Sequence, residues 1–599
     1  MGAWYTIGIF VGIGAALGVA CTGVLVRLEL ALLVSAALAA ILGYAFSGWE
    51  EVVGGAVGAV LGTLGTAPIV AGALRRGGTR GGTAAILLGA AVVIAALAFV
   101  PVLGYIEAVA IPLVGPAPAP PRARPPRRAA HPGQGLGSPP RSEPCLAWPP
   151  RAPRGRVLGC VRTYPVRTHP ASLHRDTRCT QARKTHAEVS SMPKPVVLVV
   201  IDGLTPAMFE AADTPALRFL AEHGAYRRAA STFPSLTPVC LSSIATGAHP
   251  DVHEIPHLVW WYAKERRLVE YGSSFGAVRA AGLARSLRDT IVDLNAKHLG
   301  KGAQTMYEQL EAAGLTTAAI DITCYRGPHR HLPNIPGVPA VHGPRRFFFY
   351  SLYESDRTGA PIAVRNRSLG SIDAYAAAVG RWLVTRDGFD LLVFYLPDYD
   401  YASHAAGPDA SPEALARSDA AVAALMDAAG GPDEFLDRYA VVVCSDHGQS
   451  RIEHTARLEA NGDLVTASNR AAMVYTAAPR AAAERLDAER SAGIVVFLED
   501  DALVARRDGD EDPALLDAVP DGRVRAEAAL RNPNAGQVLV SAAPGWEFVD
   551  LAGRNHLGGG SHGSLEAADS EVPMLTVGLG EPPASITGIK PLVAAHFGL

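Results

Sequence analysis

From Met1 to about residue 115 the chain is almost without charge, and its apolar residues run on rather than alternate. Four apolar stretches, at roughly 4–26, 29–48, 52–74 and 83–104, are each long enough to cross a bilayer as a helix. In the third, G-G-A-V-G-A-V-L-G-T-L-G spaces glycines at four, a pattern that lets membrane helices pack closely. The apolar region continues well past any early cleavage point, so a removed signal peptide fits it poorly. Arg27, Arg75, Arg76 and Arg80 fall in the first and third connections, and Glu50 and Glu51 in the second. The positive-inside rule then sets those first and third loops in the cytoplasm and both ends of this all-α transmembrane unit outside.

Beyond residue 192 the pattern changes. V-V-L-V-V-I (196–201), L-L-V-F-Y (391–395) and A-V-V-V-C (440–444) are short apolar runs rich in β-branched residues. Such runs read as strands buried on both faces, which implies an α/β domain with a parallel sheet sandwiched by helices. Ligands bind such sheets off the carboxyl ends of the strands. Asp202 and the pair Asp446-His447 come directly after their runs, and Asp400 lies a few residues past L-L-V-F-Y, so all three motifs open onto one rim. Thr237 precedes Pro238 and an apolar stretch ending at Gly247, which reads as a helix with Thr237 as its N-cap and proline in the first position. The amino end of that helix would aim free N–H groups and a partial positive charge at the threonine hydroxyl.

Residues 116–191 are a third material, rich in Pro and Arg and without hydrophobic period. Such a composition cannot bury enough apolar surface to fold and reads as a disordered linker. It lacks the aromatics and regular spacing of a nucleic-acid-binding arm, and the net charge of −3 names no polyanionic partner. After Met1 the next methionine is Met192, directly ahead of the first strand. This suggests a small membrane protein read through into a separate enzyme: membrane-bound as the full chain, cytoplasmic if translation starts at Met192. The seven cysteines show no C-x-x-C spacing, and Cys240 and Cys444 lie inside core motifs as small buried hydrophobes. That usage suits a reducing compartment and sits awkwardly with an outward-facing domain.

Three carboxylates (Asp202, Asp400, Asp446), three imidazoles (His404, His447, His562) and the Thr237 hydroxyl make a borderline-hard donor set that suits two divalent metal ions, zinc above all. Two such ions about 4 Å apart can clamp the attacking and leaving oxygens of a phosphoryl transfer. Singly, each residue has a plainer reading: a loop carboxylate, a helix start, a surface histidine. Their joint occurrence at strand and loop ends is what points to a chemistry.

From Met192 to the C-terminus these motifs resemble the alkaline phosphatase superfamily, and within it the type I phosphodiesterase/nucleotide pyrophosphatase branch. The likeness rests on Asp202 before Gly203, Thr237 nine residues before Thr246-Gly247, and Asp400-x-x-x-His404 with Gly407-Pro408 shortly after. Asp446-His447-Gly448 and His562-Gly563 complete it. The resemblance implies that Asp400, His404 and His562 hold one zinc and Asp202, Asp446 and His447 the other, with Thr237 as nucleophile. The substrate would be a small phosphodiester or nucleotide. The stretches 260–375 and 456–545 would be insertions forming caps over the catalytic rim. The asparagine with which the branch helps bind phosphate has no clear counterpart, and His257 or Trp260 stands nearby; His556 is a candidate acid near the leaving group. A phosphonate hydrolase or phospho-group transferase using the same site is the rival enzyme, and a non-catalytic membrane-anchored binding protein is the rival of another class.

Overall fold

The structure, a computed structural model, describes residues 3–25, 27–46, 49–75, 80–98, 193–334, 337–355 and 371–599. The proposed linker and the end of the fourth apolar stretch lie outside the described residues. The apolar stretches fold as four helices: α1 (Ala3–Val24), α2 (Leu28–Phe46), α3 (Trp49–Arg75) and α4 (Arg80–Leu97). Among the described residues only α1, over Ile7–Val24, is both long and apolar enough to cross a membrane; the others carry shorter apolar stretches. Glu50 and Glu51 lie in the first turn of α3 rather than between helices, and Arg75 ends that helix. The glycines spaced at four in α3 face α1. A Cβ at Gly58 would lie 1.9 Å from the Val11 carbonyl oxygen, so only glycine permits this approach of the two backbones.

The α/β part is built on an eight-stranded sheet. Its strands in chain order are β1 (Val196–Ile201), β2 (Ala225–Ala230), β3 (Thr317–Ile320), β4 (Arg346–Phe349), β5 (Tyr353–Glu354), β6 (Leu391–Leu396) and β7 (Ala440–Cys444). A second sheet comes next, made of β8 (Leu464–Ser468), β9 (Ala471–Tyr475), β10 (Ala492–Glu499), β11 (Ala502–Arg507), β12 (Asp510–Glu511) and β13 (Val538–Ala542); β14 (Glu571–Val577) then returns to the first. The main sheet has the order β2-β14-β7-β1-β6-β3-β4-β5. Its centre, β7-β1-β6-β3-β4, is parallel; β14 runs antiparallel to both its neighbours, β7 and β2, and β5 antiparallel to β4. Two helices bear on the site: α5 (Thr237–Thr246), between β2 and β3 in the chain, and α6 (Asp398–Ala406), directly after β6.

Every residue of β1 is buried. Val196, Leu198 and Val200 point into one hydrophobic cluster, and Val197, Val199 and Ile201 into another across the sheet. Period-two alternation between two apolar faces is why the run contains no polar residue. The expected insertion at 260–375 is corrected in part, because it supplies β3, β4 and β5 to the main sheet itself. The aromatic run Phe347-Phe348-Phe349 is the buried body of β4, and the nearby Arg326 spends its guanidinium on Glu308 and on the carbonyls of Leu299 and Gly300. Residues 456–545 contain all six strands of the second sheet, ordered β8-β9-β13-β10-β11-β12. Cys240, Cys324 and Cys444 are buried and unbridged, as small hydrophobes.

A chain starting at Met192 carries every strand of both sheets. It is expected to elute as one folded species on size exclusion and to match the full chain in activity per molecule. An aggregated or inactive product would give residues 1–191 a structural role.

Candidate metal centre and nucleophile

β7, β1 and β6 are neighbours, so the segments leaving their carboxyl ends emerge side by side. Asp202 leaves β1, Asp446 leaves β7, and α6, carrying Asp400 and His404, leaves β6. The turn after Asp202 needs glycine. Gly203 has φ +68°, and a Cβ there would lie 2.6 Å from the Gln449 amide nitrogen and 2.8 Å from Asp400 Oδ1. Its N–H donates to Asp446 Oδ1 at 3.2 Å, tying the first motif to the third.

The three imidazoles share one arrangement. Nδ1 of His404 donates to the Gly560 carbonyl at 2.8 Å, that of His447 to Gly448 at 3.0 Å, and that of His562 to Ser235 at 2.7 Å. Each Nε2 is thereby left as the lone-pair nitrogen and turned to the cluster, as a metal-ligating histidine requires. His447 Nε2 lies 3.3 Å from Asp202 Oδ1 and 3.4 Å from Asp446 Oδ2. Those two carboxylate oxygens are buried and lack a hydrogen-bond donor. Asp202, Asp446 and His447 offer ligand atoms within 4.8 Å of one another, and so do Asp400, His447 and His562. The first group is one of the two sets that the family resemblance implies. In the second, His447 stands where that resemblance puts His404, and the rings of His447 and His562 stack at 3.6 Å. His404 sits alongside, its Nε2 3.4 Å from Asp400 Oδ2.

Burial, then the adjacent Asp446 and Asp400 carboxylates, pushes Asp202 well above the ordinary carboxylate range. Burial likewise raises Asp446, against the pull of His447. Asp400 would also be raised by burial, but the adjacent His404 holds it low. Burial and the neighbouring His447 push His562 well down, to the neutral form that ligates. Carboxylates crowded in this way lack positive charge, which a cation between them would supply. Orphaned oxygens, lone-pair nitrogens and missing charge all fit divalent metal.

Thr237 opens α5, a helix that is nearly all buried. Leu236 is its extended N-cap, and Thr237 is the first helical residue with Pro238 second, one position later in the helix than the sequence suggests. The Thr237 hydroxyl lies 3.1 Å from His447 Nε2. The loop before it is pinned to the His562 loop, since Ser235 Oγ donates to the Ser564 carbonyl at 2.9 Å.

His556 is brought to the site, its ring 4.2 Å from that of His404 and its Nδ1 2.6 Å from the buried Glu547 carboxylate. His257 and Trp260 are not. His257 is fully buried, accepts from the Val259 N–H, donates to the Ala471 carbonyl, and is pushed down to about 4 by burial. Trp260 is walled in by Tyr262, Tyr271 and His298. Sequence reasoning missed four positions. The Tyr395 hydroxyl donates to Asp202 Oδ2, and the Gln449 amide donates to Asp400 Oδ1. Asn469 Nδ2 lies 3.2 Å from His562 Nε2, and Arg470 pairs with Asp569 at 2.8 Å, both side chains buried. A polar residue inside an apolar strand, as Tyr395 is, was the one signal available.

Buried carboxylates and imidazoles at the carboxyl ends of three adjacent parallel strands, beside a hydroxyl at a helix amino end, define a metal-dependent hydrolase of the alkaline phosphatase superfamily. A family model for type I phosphodiesterase / nucleotide pyrophosphatase matches residues 196–565, and the chain belongs to that family. It is therefore an enzyme of the phosphodiesterase/nucleotide pyrophosphatase type. Among curated proteins none matches the sequence. Among solved structures, murine ectonucleotide pyrophosphatase/phosphodiesterase 5 is similar at 14% identity, over 68% of this chain and 95% of that one, with a TM-score of 0.47. Phosphonoacetate hydrolase from Sinorhizobium meliloti 1021 is similar at 18% identity, over 68% of this chain and 96% of that one, also at 0.47.

Two outcomes are expected. Removing divalent metal with a chelator should lower the thermal midpoint, and saturating zinc should restore it, since an ion bound only by the folded state at about 100 times its Kd adds about 2.7 kcal/mol. Arg470→Ala should destabilise the protein by about 3–5 kcal/mol in urea denaturation, because Asp569 is left charged and buried without its cation.

Proposed function

We propose that the chain hydrolyses phosphodiester or nucleotide pyrophosphate bonds through a phospho-threonine on Thr237. Two zinc ions are assigned to it, one with Asp202, Asp446 and His447, the other with Asp400, His404 and His562. The observation that carries this reading is the Thr237 hydroxyl, set at the amino end of a buried helix and 3.1 Å from Nε2 of His447, a donor of the first set. Bound zinc would supply Lewis acidity, lowering the pKa of a hydroxyl and offsetting charge on the phosphoryl oxygens.

The chain's own groups do the rest. Thr237 Oγ1, its proton lost to solvent, forms a bond to phosphorus while the bond to the leaving oxygen breaks on the opposite side. The helix N–H groups beside Thr237 favour the anionic oxygen. His556, oriented through Nδ1 by Glu547, is placed to protonate the departing oxygen. Water then cleaves the phospho-threonine, releasing a phosphomonoester and restoring the hydroxyl. Residues 1–115 would carry the enzyme at a membrane through α1, with 116–191 as a linker and 192–599 as the catalytic domain. A product starting at Met192 would be cytoplasmic.

Thr237→Ala should lower turnover of a phosphodiester by about a hundredfold or more while keeping its zinc, because the six other donors remain. Thr237→Ser should keep part of the activity. Near-native rates in Thr237→Ala would replace the covalent route with direct attack by water. A panel of diester, monoester and phosphonate substrates on the zinc-loaded wild type tests the substrate class, and phosphonate cleavage without diester cleavage would overturn it.

A further inference from the structure

The turn joining β8 to β9 consists of Asn469 and Arg470, between the paired residues Ser468 and Ala471. Tight hairpin turns normally lie at the surface. This one is inserted into the protein: Asn469 is 5% exposed and Arg470 0%. Its backbone is fixed on both sides, because the Phe548 N–H donates to the Asn469 carbonyl at 2.8 Å and the Arg470 N–H to the His562 carbonyl at 2.9 Å.

The amide of Asn469 has a defined orientation. Ser468 Oγ donates to Asn469 Oδ1 at 3.0 Å, so Nδ2 is the end turned to His562 Nε2, 3.2 Å away. His562 Nδ1 already donates to the Ser235 carbonyl, so Nε2 is its lone-pair nitrogen. That nitrogen has a single lone pair. It accepts the amide hydrogen or it ligates a metal, and it cannot do both. When His562 serves as a ligand, the Asn469 N–H groups are left buried, facing the cluster, without that acceptor. A buried donor left unmet is unfavourable, so a ligand oxygen reaching this point is favoured. The His562 ring stacks on that of His447, whose Nε2 contacts Thr237. The amide is thus linked, through two stacked imidazoles, to the nitrogen against which the Thr237 hydroxyl lies. Backbone conformation alone does not call for this side chain, because with φ at +57° glycine would serve the turn as well.

We propose that Asn469 is a substrate-binding residue, whose side-chain amide donates to a non-bridging oxygen of the phosphoryl group on the His562 side of the site. The second sheet would then reach the reaction directly, through the tip of one hairpin. The proposal rests on the phosphoryl-transfer reading of the same site.

The test uses the full zinc-loaded chain, with inorganic phosphate as probe in isothermal titration calorimetry and zinc affinity measured in parallel by chelator competition. Asn469→Gly keeps the turn and removes the amide, and it should bind phosphate at least about tenfold more weakly with zinc affinity unchanged. Asn469→Asp keeps the size and faces the anion with a carboxylate, so it should bind more weakly still. If the glycine variant fails to fold, the aspartate variant decides by the same two measurements. Phosphate affinity equal to wild type would overturn the proposal. So would a fall in zinc affinity matching the fall in phosphate affinity, which would make Asn469 only a support for His562. Turnover of a diester by the wild type separates the two readings. An inactive wild type that binds phosphate through Asn469 would sink the diesterase reading and leave this one standing. A wild type that binds no phosphate would overturn the role given to Asn469.

Discussion

The buried ion pair between Arg470 and Asp569 is the joint on which the catalytic end of the molecule turns. The Arg470 guanidinium donates to Asp569, to Ser450 Oγ, and to the carbonyls of Trp546 and Ala543. Asp569 accepts in addition from the N–H and hydroxyl of Ser564, and its carbonyl accepts from the Gly448 N–H. One pair thus gathers the segment after Asp446-His447, the loop of His562 and the turn of the second sheet. A buried pair of this kind contributes little net stability compared with apolar packing, but it tolerates no partial occupancy: either all the donors and acceptors meet or the charges stand alone. That all-or-none character suits a site whose donors arrive from widely separated parts of the chain.

The same logic governs the metal centre. Three carboxylates placed at the ends of adjacent strands are costly to charge in a buried setting, and the upward shifts of Asp202 and Asp446, set first by burial and then by neighbouring carboxylates, express that conflict. Apolar strands bring them there because the sheet is stabilised by burial on both faces, whatever residue stands at the end of each strand. The fold thereby holds the donors together at the cost of their mutual repulsion, and a cation resolves it. Membership of the type I phosphodiesterase/nucleotide pyrophosphatase family and the geometry of the donors agree on this point.

Legibility in the sequence tracked local pattern. The apolar runs at β1, β6 and β7 declared themselves, and with them the rim that carries Asp202, Asp400 and Asp446. β3 did not, because four residues of T-A-A-I show no periodicity, and 260–375 reads as an insertion on that account. The helix of Thr237 is legible to within one residue, its start being set by whether Thr237 or Leu236 adopts the extended conformation. The supporting contacts escaped because they join residues far apart in the chain: Tyr395 reaches Asp202 across 193 positions and Asn469 reaches His562 across 93. No short motif can encode such a pair. His257 and Trp260 look suitable by proximity to the nucleophile in sequence, yet the chain turns them into the core.

The three imidazoles of the cluster are each oriented by a main-chain carbonyl, those of Gly560, Gly448 and Ser235. Every residue type carries a carbonyl, so the choice of tautomer is written into the path of the chain and not into any side chain. Two of those three positions admit no side chain, since a Cβ at Gly448 would lie 2.1 Å from the Ala568 carbonyl oxygen and one at Gly560 2.8 Å from that of Ser403, so a change there, or a distant one that shifts a loop, misaligns an imidazole without altering a single donor residue.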